Sequence, residues 1–279
     1  MDRDSSFLIL RSGIKVYGGY APGGSTLRDY VANPTILSGN IGNTNDPVDN
    51  SEHVLVVAGV GQSADSVVLD GLIFSDASGS SIINSTKIYN GIAVLRTAGG
   101  GVNTTGNQSD HIAFRYCTFS NNLVHVSIGG GGMYNEASSP LVSSCVFFRN
   151  TVNGSGGGMF NAGASPTIDH CSFLDNIVQG SGGGVFNIDN SNPLISNSLF
   201  RGNSVKGTGG AGIFNSGNNG TIINCTFSAN QTSNVTTNNT GGAGIYNLNC
   251  SPPITQCTFT DNLSYGLGGG GYLISMHRR

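Results

Sequence analysis

One phrase, Cys-x-Phe-x-x-Asn, recurs six times from residue 117 onward, once with serine in the cysteine slot, and it constrains the fold more than any other feature. The copies are Cys117-Phe119-Asn122, Cys145-Phe147-Asn150, Cys171-Phe173-Asn176, Ser198-Phe200-Asn203, Cys225-Phe227-Asn230 and Cys257-Phe259-Asn262. Successive copies are 28, 26, 27, 27 and 32 residues apart. A near-constant period of this size marks stacked supersecondary units, each burying its apolar face only against its neighbours.

Each unit divides into three parts. The first opens near Pro140, Pro166, Pro193, Gly220 or Pro253 and carries a hydrophobe three residues before the cysteine slot, from Phe114 and Val142 to Ile254. Cysteine and phenylalanine, two apart, share one face of an extended strand. The residue between them varies (Thr118, Val146, Ser172, Leu199, Thr226, Thr258), as an outward position does. The asparagine comes where the strand ends. It tolerates left-handed backbone angles, and stacked amides hydrogen-bond along a column. Asn122, Asn150, Asn176, Asn203, Asn230 and Asn262 are therefore expected to form a structural ladder beside a column of Phe119, Phe147, Phe173, Phe200, Phe227 and Phe259.

A glycine cluster, a hydrophobe, an aromatic and an asparagine make the second part, as in Met133-Tyr134-Asn135 and Ile213-Phe214-Asn215. This predicts a second strand, with its inward face open. The third part is variable, longest at Gln231–Thr240, and is expected to bulge outward. Parallel stacking of such units makes an all-β, right-handed parallel β-helix, right-handed because parallel crossovers are. Six clear copies and weaker strands at Val54–Val57, Val67–Phe74 and Ile92–Leu95 suggest about eight to ten coils. The body would then be on the order of 40–50 Å long. Residues 1–50 are assigned to an irregular N-terminal cap or partial coils. Residues 51–279 are assigned to the β-helix, regular from about 112, with a last coil truncated where Tyr272-Leu273-Ile274 leaves the pattern before Met276-His277-Arg278-Arg279.

Composition narrows function. The 44 glycines serve turns, and apolar positions in register argue against disorder. Charged residues are 10% and net charge is −3, without the basic stripe of a nucleic-acid binder. No apolar run approaches the ~18–20 residues of a membrane span, and the first residues do not read as a signal peptide. Five of six cysteines share one repeat slot, a small inward hydrophobe's place; only Cys250 is off-register. Strands ~4.8 Å apart bring neighbouring slots within disulfide reach. Ser198 in the same slot favours free, buried thiols.

Gly209-Gly210-Ala211 and Gly241-Gly242-Ala243, paired with the Phe-x-x-Asn phrase, resemble the repeat of polymorphic outer membrane proteins. In this chain glycine, rather than the family's aliphatic residue, follows each alanine. More broadly the chain resembles bacterial secreted β-helix proteins, including their stretch before the helix, here Ile14–Tyr20 and Asn33–Gly39. The resemblance implies a pectate-lyase-like solenoid. It also implies an extracellular or outer-surface, adhesin-like or stalk role, with carbohydrate or a cell-surface protein as partner.

The competing function is a polysaccharide lyase or glycoside hydrolase of the same fold, which needs paired carboxylates or acidic calcium ligands. Asp169, His170 and Asp175, near Arg149, make the best catalytic candidate. Adjacent Asp169 and His170 are expected to point apart if extended, and Asp175 and Asp261 to lie too far apart to share a cation. His53, His111 and His125 read as isolated surface or turn residues. No metal or cofactor is expected. An ice-binding face is disfavoured because Val146, Ser172 and Leu199 interrupt the threonine column.

Overall fold

The computed structural model describes residues 6–24, 26–43, 46–60, 65–79, 85–107, 111–126, 128–217, 219–233, 241–265 and 269–275. Residues 234–240 of the long third part, Gly268 of the last glycine run and the end from Met276 lie outside them. The chain winds as a right-handed parallel solenoid with four walls rather than three parts per coil.

One coil shows the scheme. Met159–Ala162 lies in the first wall, Thr167–Asp169 in the second, Ser172–Leu174 in the third and Ile177–Val178 in the fourth. Among the described residues the four walls hold nine, eight, eight and seven strands, every pairing within them parallel. Strictly regular coils, with the hydrophobe–aromatic–Asn strand, number five: those of Met133, Met159, Val185, Ile213 and Ile245. That is fewer than the eight to ten expected; the walls lengthen beyond them through less regular coils. At the start, Phe7–Ile9, Lys15–Tyr17 and Thr35–Ser38 pair in register with Leu55, Val68 and Leu72. At the other end Tyr272–Ser275 pairs with Ile245–Leu248.

Walls become four because single residues at positive φ turn the chain sharply. One stands just before each cysteine slot: Tyr116, Ser144, His170, Asn197, Asn224 and Gln256, with φ between 49° and 54°. A second corner holds Asn121, Arg149, Asp175, Gly202, Ala229 and Asp261. The left-handed residue is thus the one before the ladder asparagine, not the asparagine itself. This is physically sensible, since the ladder residue must keep its amide aimed inward while its neighbour absorbs the bend.

The interior is a set of columns. Hydrophobes of the first two walls, the cysteine slot and the phenylalanines form one continuous core. Phe119, Phe147, Phe173, Phe200, Phe227 and Phe259 stack with centroids 4.5–4.9 Å apart and planes within 9°, so ring spacing follows coil spacing. The glycine cluster makes room for them: a Cβ on Gly158 would stand 2.6 Å from the Phe173 ring. Val124, Val152, Val178 and Val205, each two residues past a ladder asparagine, form a separate buried column in the fourth wall.

Two asparagine columns run through the stack. In the first, Asn150 Nδ2 donates to Phe119 O and to Asn176 Oδ1, both at 3.0 Å, while the Asn150 backbone N donates to the same Oδ1 at 3.0 Å. Both amide protons and both oxygen lone pairs are thereby used. The second lies in the first wall, where hydrophobe and asparagine both point inward and the aromatic points to the outer face. Asn135, Asn161, Asn187, Asn215 and Asn247 link Nδ2 to Oδ1 at 2.7–2.8 Å. Asn247 faces Ile274 in register, and its Nδ2 has no hydrogen-bond partner among the described residues.

The strand expected at Ile92–Leu95 is not a wall strand. It pairs antiparallel with Thr86–Tyr89 across Asn90-Gly91, whose φ values of 50° and 75° suit a type I′ hairpin turn. This hairpin packs Tyr89, Ile92 and Val94 over the outward side of Val56 and Ala58.

Candidate functional site

The corner between the second and third walls places one residue per coil on the outside. His170 stands there at φ 52°, so its ring folds back and Nδ1 lies 2.7 Å from Asp169 Oδ2. The expectation that the two side chains point apart assumed extended backbone, which the left-handed corner removes. Asp169 Oδ1 also accepts from Ser196 Oγ at 2.6 Å and Asn197 Nδ2 at 2.7 Å. Asn224 Nδ2 in turn donates to Asn197 Oδ1 at 2.7 Å. Partial burial raises the Asp169 carboxyl, but hydrogen bonds from Ser196, Asn197 and His170 outweigh it and hold the group below its ordinary value. Beside this row runs a cleft of about 500 Å³ lined by His170, Ser172, Asn197, Leu199, Asn224 and Thr226.

Asp175 does not join this arrangement. It stands at the next corner and lines a different cleft, of about 370 Å³, with Arg149, Thr151 and Ile177. The Arg149 guanidinium carbon lies 4.7 Å from the centre of the Phe148 ring. The catalytic candidate therefore splits into two pairs on two corners.

Other titratable groups were not legible in the repeat. Arg96 donates to Glu52 through Nε at 2.7 Å and Nη2 at 3.0 Å, with the Glu52 side chain only 4% exposed. His53 is buried beside them with Nδ1 3.0 Å from Gly99 O, which corrects its reading as a surface residue. The enclosed space there, about 10 Å³, suits at most one water. This cluster clamps the hairpin rather than receiving a substrate. His125 is half-buried, its Nε2 3.0 Å from Ser78 Oγ, and His111 is half-buried as well.

The cysteines are free; five are buried and Cys257 is partly so. Burial pushes the Cys145 thiol well above its ordinary value and Cys225 up to about 12, the opposite of an activated nucleophile. Among the described residues, no three His, Cys, Asp or Glu side chains come together as a metal site.

On the first wall, burial and then the charge of Glu136 raise the Tyr134 phenol above its ordinary value. Burial raises the Glu136 carboxyl, the neighbouring Tyr134 phenol partly opposes this, and the charge of Asp189 adds to the rise. A carboxyl raised in the fold binds more protons there than in the unfolded chain. Its contribution is fully present below the unfolded carboxyl range and is lost as pH rises through the folded value. Glu136→Gln should therefore raise the melting temperature at neutral pH and match the parent below about pH 4. Thermal melts between these limits check this; equal melting curves at neutral pH would show Glu136 to be ordinarily solvated.

Four exposed tyrosines gather at the first coils. The Arg28 guanidinium carbon lies 5.2 Å from the Tyr17 ring centre and 5.8 Å from that of Tyr20, and Tyr30 stacks on Tyr116 at 5.4 Å. The sequence signal for this cluster is the enrichment of tyrosine at residues 17–30, before the repeat; Tyr116 lies within it.

Residues 59–231 match the family model described as right handed beta helix region. No curated protein and no solved structure matches the chain.

Proposed function

This chain belongs to the right-handed β-helix family, and we propose that it is a non-enzymatic, exported or cell-surface member: an adhesin-like or stalk-like scaffold whose outer faces bind glycans or neighbouring surfaces. The observation that carries this reading is the state of Asp169. Both its oxygens are engaged by Ser196, Asn197 and His170, and Asp175 lies in another cleft. A carboxylate held ionised by three neighbours serves poorly as a general acid, and as a base it must give up those bonds. The repeat's likeness to polymorphic outer membrane proteins supports a surface location. The interior columns supply a stiff body, and the corners and clefts supply display surface.

The second reading is a lyase or glycoside hydrolase. Glu136 favours it, because a raised carboxyl with a second acidic group in its field is a common state for a general acid. Incubation with neutral and acidic polysaccharides, with and without calcium, separates the two. We expect no new reducing ends and no unsaturated products. Turnover abolished by Asp169→Asn or Glu136→Gln would replace the scaffold reading with the enzymatic one.

A further inference from the structure

We propose that the tyrosine cluster at the first coils is a binding platform for a neutral glycan chain laid along the solenoid axis. This names a ligand class and a place for the binding role proposed above, and rests on that reading. The cluster is built into the corner row. Tyr116 is itself a corner residue, and the equivalent position one coil earlier is Gly71, at φ 70°. A Cβ there would stand 2.7 Å from Arg28 Nη2 and 3.3 Å from Tyr30 Cβ. Glycine at this one position lets Arg28 and Tyr30 lie down in the row, where Tyr30 meets Tyr116.

The rings are held without being covered. Arg28 donates through Nε to Gly18 O at 2.8 Å and through Nη2 to Asp70 Oδ1 at 2.5 Å, so the group that carries Tyr17 and Tyr20 is itself anchored. Yet Tyr17, Tyr20, Tyr30 and Tyr116 remain 41–47% exposed. Tyrosine offers a large, rigid, amphipathic contact at low entropic cost, and prior fixing lowers the cost of binding further.

Charge and hydrogen bonding select the ligand. Asp70 balances Arg28, so the cation packed against the Tyr17 and Tyr20 rings is itself compensated. A pyranose ring offers C–H faces to aromatic faces and hydroxyls to phenols. Beyond Tyr116 the same corner continues through Ser144, His170, Asn197 and Asn224, one polar side chain per ~4.8 Å coil. Hydroxyl, imidazole and amide groups both donate and accept, which suits a polyhydroxylated chain. A proline-rich peptide would suit the aromatic half, but it lacks N–H donors for the polar half.

The test uses the full chain against soluble hydroxyethylcellulose, xylan, galactomannan, polygalacturonate and a decaproline peptide. Because the protein has no tryptophan, its emission comes from nine tyrosines, four of them in the platform, and loss of the change in the Tyr30 and Tyr116 variants assigns it to the platform. We expect at least one neutral polysaccharide to retard the protein in affinity gels and to change its tyrosine emission. Tyr30→Ala and Tyr116→Ala should each weaken that binding by about tenfold or more, a loss of ~1.4 kcal/mol. Tyr265→Ala, an exposed tyrosine elsewhere, should leave it unchanged. Matching melting temperatures would show the variants folded. Neutral-glycan binding insensitive to both substitutions, binding to decaproline or polygalacturonate alone, or binding to none of the five would each overturn the proposal. None of those results touches the scaffold reading, which falls only on turnover.

Discussion

Phe173→Ala is expected to destabilise the solenoid by ~3–5 kcal/mol, the range for removing a buried ring from a close-packed site. Phe173 is fully buried, with Phe147 at 4.6 Å on one side and Phe200 at 4.8 Å on the other. Its ring edge also fills the space that Gly158 leaves by having no Cβ. Truncation therefore breaks two stacking contacts and opens a cavity that backbone hydrogen bonds on both sides keep from collapsing. Phe148, adjacent in sequence but only partly buried, should tolerate alanine far better. Reversible denaturant unfolding measures both. A loss below about 1 kcal/mol at Phe173 would mean that the column does not carry the packing assigned to it.

The second large effect is expected from Asn176→Leu, which keeps the branching at Cγ, enlarges the side chain somewhat and removes its hydrogen bonding. Asn176 Oδ1 accepts from the Asn150 backbone N and from Asn150 Nδ2, both at 3.0 Å. Its Nδ2 donates to Phe147 O at 3.0 Å and Asn203 Oδ1 at 2.9 Å. Leucine would orphan groups in coils on either side, in a column that water does not reach. Each unsatisfied buried group costs about 1–3 kcal/mol, so a total of ~3 kcal/mol or more is expected. Asn153, exposed and bonded through Nδ2 to His125 O, is the control and should change stability by about 0.5 kcal/mol or less. Similar losses at both positions would show that the ladder adds nothing beyond ordinary surface bonds.

Much of the wall was legible because a stack converts sequence period into spatial neighbourhood. Residues one repeat apart must touch, so Phe147 above Phe119 follows from recurrence alone. The valine column was equally legible in principle, in Asn-x-Val after Asn122, Asn150, Asn176 and Asn203. The hairpin carried its own signal too, Asn90-Gly91 between apolar runs.

The candidate site was less legible. The pairing of Asp169 with His170 depends on one left-handed residue. That conformation falls on tyrosine, serine, histidine, asparagine and glutamine alike along the corner, so residue type does not announce it. Splitting Asp169 from Asp175 depends on the second corner in the same coil.

The sequence by itself determined the parallel β-helix, the phenylalanine column and the positions of the first asparagine column, since each repeats with the coil. Tertiary structure alone decided that corners sit before the cysteine and ladder slots, and which face of the first wall turns inward. It also decided that Arg28, Tyr30 and Tyr116 meet over Gly71, and Glu52 and Arg96 beneath the hairpin. Those contacts bring residues outside any period, such as Arg28, Tyr30, Glu52 and Arg96, onto the stack at separations set by the path of the chain. A repeat encodes what recurs; the features with chemical individuality occur once.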